Sequence, residues 1–88
     1  MYKIFLHNLA NKFLESLDNS IQETIKKKLK ELEDFPEQRG KHLTHSSFWS
    51  LRIGDYRAIY EISKNENRVI ILFIGHRKDV YDDFSKLF

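Results

Sequence analysis

Three arginines and a tyrosine, Arg52, Arg57, Arg77 and Tyr81, fall within one run, Phe48 to Tyr81, that reads FWSLRIGDYRAIYEISKNENRVIILFIGHRKDVY. A guanidinium is a permanently charged planar fork that matches phosphate oxygens, so arginines gathered in one place point to an anionic ligand. The spacing does gather them. Gly54-Asp55 is suited to a two-residue hairpin loop, which sets Ile53 opposite Tyr56 and Arg52 opposite Arg57. Cross-strand partners share a face with Cβ atoms about 5 Å apart, where like charges are destabilising. A third strand, Val69 to Ile74, runs antiparallel to the second and ends where the second began. Arg77 therefore emerges at the same sheet edge, just past the strand end, where alternation no longer fixes its face. The alternative for each arginine is a solvated position or an ion pair with Asp55, Glu61 or Asp79, an arrangement worth little at a surface.

The charge distribution favours the anionic ligand. The net charge is only +2, yet between Lys41 and Tyr81 seven Lys and Arg residues face four acids. A local excess of this kind fits a phosphate-facing patch better than a uniformly basic protein. His42 and His45 lie in the same half, but no His-x-x-x-His spacing and no cysteine accompanies them, so neither a metal nor a cofactor is expected. His76 is the imidazole nearest the arginines. The absence of cysteine also excludes disulfides and fits a reducing interior. The start, MYKIFLHNLANKF, lacks a signal-peptide layout, and no apolar run approaches the ~20 residues that span a bilayer. A cytoplasmic location without membrane contact is expected.

The elements that must position these residues fit one domain over residues 1–88, with 41% hydrophobic residues, seven Phe among them, to build its core. Tyr2 to His7 reads as a first strand. Asn8 is suited to cap a helix with Leu9, Phe13, Leu14 and Leu17 on its inner face. Asn19 or Ser20 is suited to cap a longer helix carrying Ile21, Ile25, Leu29, Leu32 and Phe35, which Pro36 stops. Its Lys26, Lys27, Lys28 and Lys30 read first as a solvated face and second as an auxiliary contact for RNA or an acidic partner. Pro36 to Ser47 is a long polar connection containing Lys41. Asp79 is suited to cap a short last helix with Val80, Phe84 and Leu87 or Phe88 inward, too short to stand undocked. The expected fold is α+β: a small, mostly antiparallel four-stranded sheet, a helical hairpin on one face and a short C-terminal helix.

Two motifs carry a family resemblance. Leu51-Arg52-Ile53-Gly54-Asp55-Tyr56-Arg57, followed by Ile59-Tyr60-Glu61-Ile62, resembles the core signature of RelE toxins, of the RelE/ParE superfamily of toxin–antitoxin systems. Ile74-Gly75-His76-Arg77-Lys78-Asp79-Val80-Tyr81 resembles its closing motif, and Gly40-Lys41-His42-Leu43 the basic segment before the signature. Length and element order extend the resemblance over essentially the whole chain. It implies a ribosome-dependent, metal-independent mRNA endoribonuclease that cleaves by 2′-hydroxyl attack and inhibits translation. Arg57, Arg77 and Tyr81 match the family's catalytic residues. Arg52 matches a basic position beside them, and Lys41 and Lys78 are further candidates for RNA contact. The pattern assigns His76 no role. Phe48 and Ser50 stand where well-armed members carry lysines on the first hairpin strand, which leaves Lys41, Lys78 or His76 as substitutes.

Physically, such cleavage needs the 2′-oxygen deprotonated, the phosphorane charge stabilised and the 5′-oxygen protonated. Arg57 and Arg77 suit the second task. Tyr81 serves either as general base or as a stacking surface that orients the 2′-hydroxyl. Weak acid–base groups would leave substrate positioning by the ribosome to supply several kcal/mol. The implied partners are the ribosome and mRNA, a small acidic RelB-like antitoxin, and operator DNA only through that antitoxin. Two alternatives share the fold: a ParE-like gyrase inhibitor that cleaves nothing, and a catalytically weak relative that only binds antitoxin and operator DNA.

Overall fold

A run of residues that is apolar on both faces has to be covered twice, and the chain supplies a helical layer for each side of it. The computed structural model describes residues 1–88. Strand β1 (Lys3–Leu6) leads into helices α1 (Asn8–Glu15) and α2 (Asn19–Lys30) and a 3-10 turn (Glu31–Glu33). A one-turn helix α3 (Pro36–Arg39) and a short strand β2 (Lys41–His42) precede the hairpin of β3 (Phe48–Ile53) and β4 (Tyr56–Ser63). Strand β5 (Arg68–His76) and helix α4 (Val80–Leu87) follow. The sheet order is β1-β5-β4-β3-β2, with β1 parallel to β5 and every other pair antiparallel. No helix is long and apolar enough to cross a membrane.

The α+β class and the hairpin register agree with the sequence reading, but the sheet has five strands rather than four. The extra strand is β2, in which Lys41 pairs with Ser50 and His42 with Trp49. A strand of two residues inside a polar connection has no alternation to reveal it.

On one face of the sheet, Ala10 and Leu14 of α1, Ile25 and Leu29 of α2, and Leu32 pack against Leu51, Ile53, Ala58, Tyr60, Val69, Ile71 and Ile74. On the other, Val80 and Phe84 of α4 cover Ile59 and Leu72, flanked by Phe48, Ile70 and Phe73. Strict alternation would not sort β5 this way. A bulge does: Ile59 opposes Phe73 while Tyr60 opposes Ile71, so Leu72 has no partner. One unpaired residue reverses the parity of everything after it. Gly75, the partner of Arg57, therefore lies on the α4 side, and the residue two beyond it is Arg77.

Several local expectations are corrected. The cap of α1 is His7, whose Nδ1 accepts the Leu9 N–H at 3.2 Å, rather than Asn8. Asn19 and Ser20 lie inside α2, which has no side-chain cap. Phe35 leaves the apolar stripe: it is 68% exposed with φ of 54°. The ring of Pro36 bars the preceding residue from the right-handed helical region, so the stripe ends at Leu32. Asp79 holds the N-cap position of α4, but its side chain makes no capping bond.

Candidate functional site

The hairpin brings the first residues of the site together. Gly54 takes φ of 60°, a conformation glycine adopts without steric cost. With the turn so fixed, Ile53 opposes Tyr56 and Arg52 opposes Arg57. Ser50 and Arg57 share the α4 face with Ile59, the residue opposite Ser50. The Arg57 guanidinium donates from Nη1 to Ser50 Oγ at 3.1 Å. Tyr81 donates its hydroxyl to the same oxygen at 3.1 Å. Ser50 is 1% exposed and Tyr81 43% exposed, so the phenol joins a buried hydroxyl to the solvent side. Helix α4 makes this meeting: Val80 and Phe84 are buried against the sheet, and Tyr81, one residue on from Val80, lands at the edge of that contact.

The other arginines are held differently. Arg77 is the first residue beyond β5; its backbone N–H donates to the Asp55 carbonyl at 2.8 Å. Its Nε lies 3.7 Å from the Asp55 carboxylate, with both side chains well exposed. Arg52 opposes Arg57 in register, yet its Nε donates to the Gly54 carbonyl at 3.1 Å. Folded back in this way, it lines a groove of about 550 Å³ with Lys27 and Lys28 of α2. The same groove is lined by Glu31, an acid among these cations. Neither Arg52 nor Arg57 pairs with a carboxylate.

The remaining candidates divide. Lys41, exposed on β2, is the cross-strand partner of Ser50 and so shares the face that carries Arg57. Lys78 is exposed in the turn before α4 and makes no side-chain bond to the cluster. The His76 ring packs on Tyr56 at 5.8 Å, on the face that α1 and α2 cover, away from Arg57. Phe48 packs edge-on against Phe84 at 5.1 Å, serving as a seat for α4. The sequence reading passed over Ser50 as a partner of the arginines. Its signal was a small polar residue two positions before Arg52, on the strand face that meets Arg57.

No group of three or more His, Cys, Asp or Glu residues is placed to hold a metal ion. Burial pushes the Tyr60 phenol up to about 12, against a smaller opposing effect from a backbone hydrogen bond at Gly40. Tyr60 donates to the Pro36 carbonyl at 2.8 Å in the helix-side core.

The comparisons agree with this architecture. No curated protein sequence matches the chain. The family described as the ParE toxin of type II toxin–antitoxin systems, parDE, matches residues 4–81. The toxin–antitoxin complex RelBE2 of Mycobacterium tuberculosis is similar in structure, with 28% identity, a TM-score of 0.79, and coverage of 86% of this chain and 98% of that one. The isolated Escherichia coli RelE toxin superposes with a TM-score of 0.76 at 23% identity, covering 99% of this chain and 98% of that one. The archaeal RelE–RelB complex of Pyrococcus horikoshii OT3 gives a TM-score of 0.71 at 24% identity, covering 86% and 94%. At such identities the last two speak to the fold alone. With a family match spanning nearly the whole chain and a fold shared with the RelE structures, the chain is a toxin of a type II toxin–antitoxin system and belongs to the ParE toxin family of the RelE/ParE superfamily.

Proposed function

We propose that this toxin is a ribosome-dependent mRNA endoribonuclease. The observation that carries the reading is the meeting of Arg57 and Tyr81 on Ser50 Oγ, with the Arg57 guanidinium free of any carboxylate. A site that only stabilised the fold would gain little from an unpaired guanidinium beside a half-exposed phenol. A phosphodiester clamp requires it.

The chemistry follows from those groups. The 2′-oxygen bonds to phosphorus as the bond from phosphorus to the 5′-oxygen breaks, leaving a cyclic phosphate and a 5′-hydroxyl. Arg57 and Arg77 hold the non-bridging oxygens, where negative charge grows. Tyr81, its proton directed at Ser50, presents oxygen lone pairs that orient the 2′-hydroxyl, whose proton passes to solvent water at the half-exposed edge of the site as the 2′-oxygen attacks. Lys41, facing Ser50 across the β2–β3 pairing, supplies the ammonium that a β3 lysine supplies elsewhere in the family and protonates the leaving 5′-oxygen. Arg52 and Lys78 contact the flanking RNA backbone. The ribosome positions the codon, which compensates for modest acid–base groups.

The relatives solved as RelB–RelE complexes support an antitoxin partner. Here it would be a small acidic chain that covers the guanidiniums, or that displaces α4 and takes Tyr81 with it. The deciding experiment incubates purified toxin with ribosomes programmed with mRNA and maps the new 3′ ends, beside a DNA supercoiling assay with gyrase. Cuts in the exposed codon that vanish in Arg57→Ala are expected. Gyrase inhibition without cuts would replace this reading with the second one, a non-enzymatic gyrase inhibitor. The family match by description and the use of Phe48 in packing favour that alternative.

A further inference from the structure

We propose that Ser50 is the positioning residue of this site, the joint through which β3 fixes both the guanidinium of Arg57 and the phenol of Tyr81. The proposal rests on the nuclease reading above and goes beyond it, because nothing in the family pattern gives a hydroxyl at this position a task. Ser50 is almost wholly buried, and a buried hydroxyl must be satisfied. Serine usually satisfies itself on nearby backbone. Here the oxygen is bonded by two side chains seven and 31 residues away. Neither of those side chains makes another hydrogen bond in the structure, so Ser50 alone orients both.

The valence of the hydroxyl explains the choice. Its oxygen offers two lone pairs, one for Arg57 and one for Tyr81, while an ammonium offers donors and no acceptor. A lysine at this position would repel the guanidinium and could receive neither bond. The site is therefore wired differently from the lysine-bearing pattern: the cation moves to Lys41 on the neighbouring strand, and the vacated position becomes an acceptor. Arginine carries much rotamer freedom, and tethering one nitrogen removes part of it before substrate arrives. The arrangement also makes Arg57 depend on α4, since Tyr81 completes the junction only while that helix is docked.

The test compares Ser50→Ala, Ser50→Cys and Ser50→Thr, each alone and with Tyr81→Phe, in single-turnover and steady-state cleavage of ribosome-bound mRNA. Ala and Cys are expected to lower kcat about tenfold or more with KM changed less than about threefold, while Thr keeps kcat within about threefold. In the Tyr81→Phe background the Ser50→Ala loss should shrink below about threefold, because residues acting as one unit do not add. The Cys variant preserves the side-chain shape and decides the matter if Ala fails to fold. A readout independent of cleavage is the Arg57 Nε–Hε resonance: slow guanidinium rotation is expected in the wild type, and averaging in Ala and Cys, with α4 amide exchange unchanged. Wild-type kcat in both variants, or losses that multiply with Tyr81→Phe, would overturn the proposal. If the wild type cuts nothing, the nuclease reading falls by itself. The Arg57 signal then judges Ser50, and an unaltered signal in the variants rejects it.

Discussion

Arg57 and Arg77 carry the same charge in different company, and the difference sets what each substitution should do. Arg77 faces the Asp55 carboxylate at 3.7 Å in an exposed pair, an arrangement that contributes about 0–1 kcal/mol. Asp55→Asn should leave the unfolding midpoint nearly unchanged while removing the carboxylate that, under the nuclease proposal, would compete with RNA for the guanidinium. A severalfold gain in affinity for programmed ribosomes is expected, and a loss would mean that Asp55 orients Arg77 productively. Arg77→Ala should abolish growth arrest on expression while the thermal midpoint stays put, since the side chain packs in no core. Tyr81→Phe keeps the ring and removes the hydroxyl; a drop in cleavage of about tenfold or more is expected if the hydroxyl meets the 2′-oxygen. A near-normal rate would leave the ring only a stacking role. The opposition of Arg52 and Arg57 was legible in the sequence because a two-residue turn fixes register. The part played by Ser50 was not, because it depends on Tyr81 arriving from a helix 31 residues away.

Helix α4 is an eight-residue element, marginal alone, and its hold on the sheet passes through very few side chains. Val80 and Phe84 meet Ile59 and Leu72, with Phe48 edge-on to Phe84 and Phe88 stacked on it at 4.9 Å. Phe84→Ala removes the centre of that contact. Truncating a buried Phe costs about 3–5 kcal/mol in a well-packed core, more than such a helix can retain, so the response should be local undocking. Amide exchange over residues 80–88 is expected to rise at least about tenfold, with β5 amides unchanged and cleavage lost. Equal acceleration in β5 would show that α4 and the sheet open as one unit. Elements were legible wherever a long period spoke: the apolar stripe of α2, carried on to Leu32 in the 3-10 turn, and the β3–β4 alternation. They were hidden where structure depends on pairing. Strand β2 is too short to alternate, and the bulge at Leu72 lies in a run apolar on both faces, where either parity looks equally good.

Across the whole molecule, the long segment between α2 and β3 is held by the β2–β3 pairing and by one buried side-chain hydrogen bond. Tyr60, on β4, donates to the Pro36 carbonyl, and Gly40 lies so close that an added methyl would crowd the Tyr60 hydroxyl and sit 2.8 Å from the Ser50 carbonyl oxygen. Gly40→Ala should therefore loosen the segment that presents Lys41. The same tie has a signature in alkali. The Tyr60 phenol in the fold is pushed up to about 12 by burial, against an ordinary value near 10. Below about pH 10 both folded and unfolded chains keep the proton, and the stability linked to it is fully present. Between about pH 10 and 12 the unfolded chain loses the proton while the fold still holds it. Stability then falls as pH rises, by roughly 2–3 kcal/mol across the interval. Tyr60→Phe lacks this titration but forfeits the bond to Pro36, worth about 1 kcal/mol at neutral pH. Urea midpoints should place the wild type above the variant at pH 7 and below it near pH 12. Parallel curves over that range would mean the phenol is not held protonated in the core.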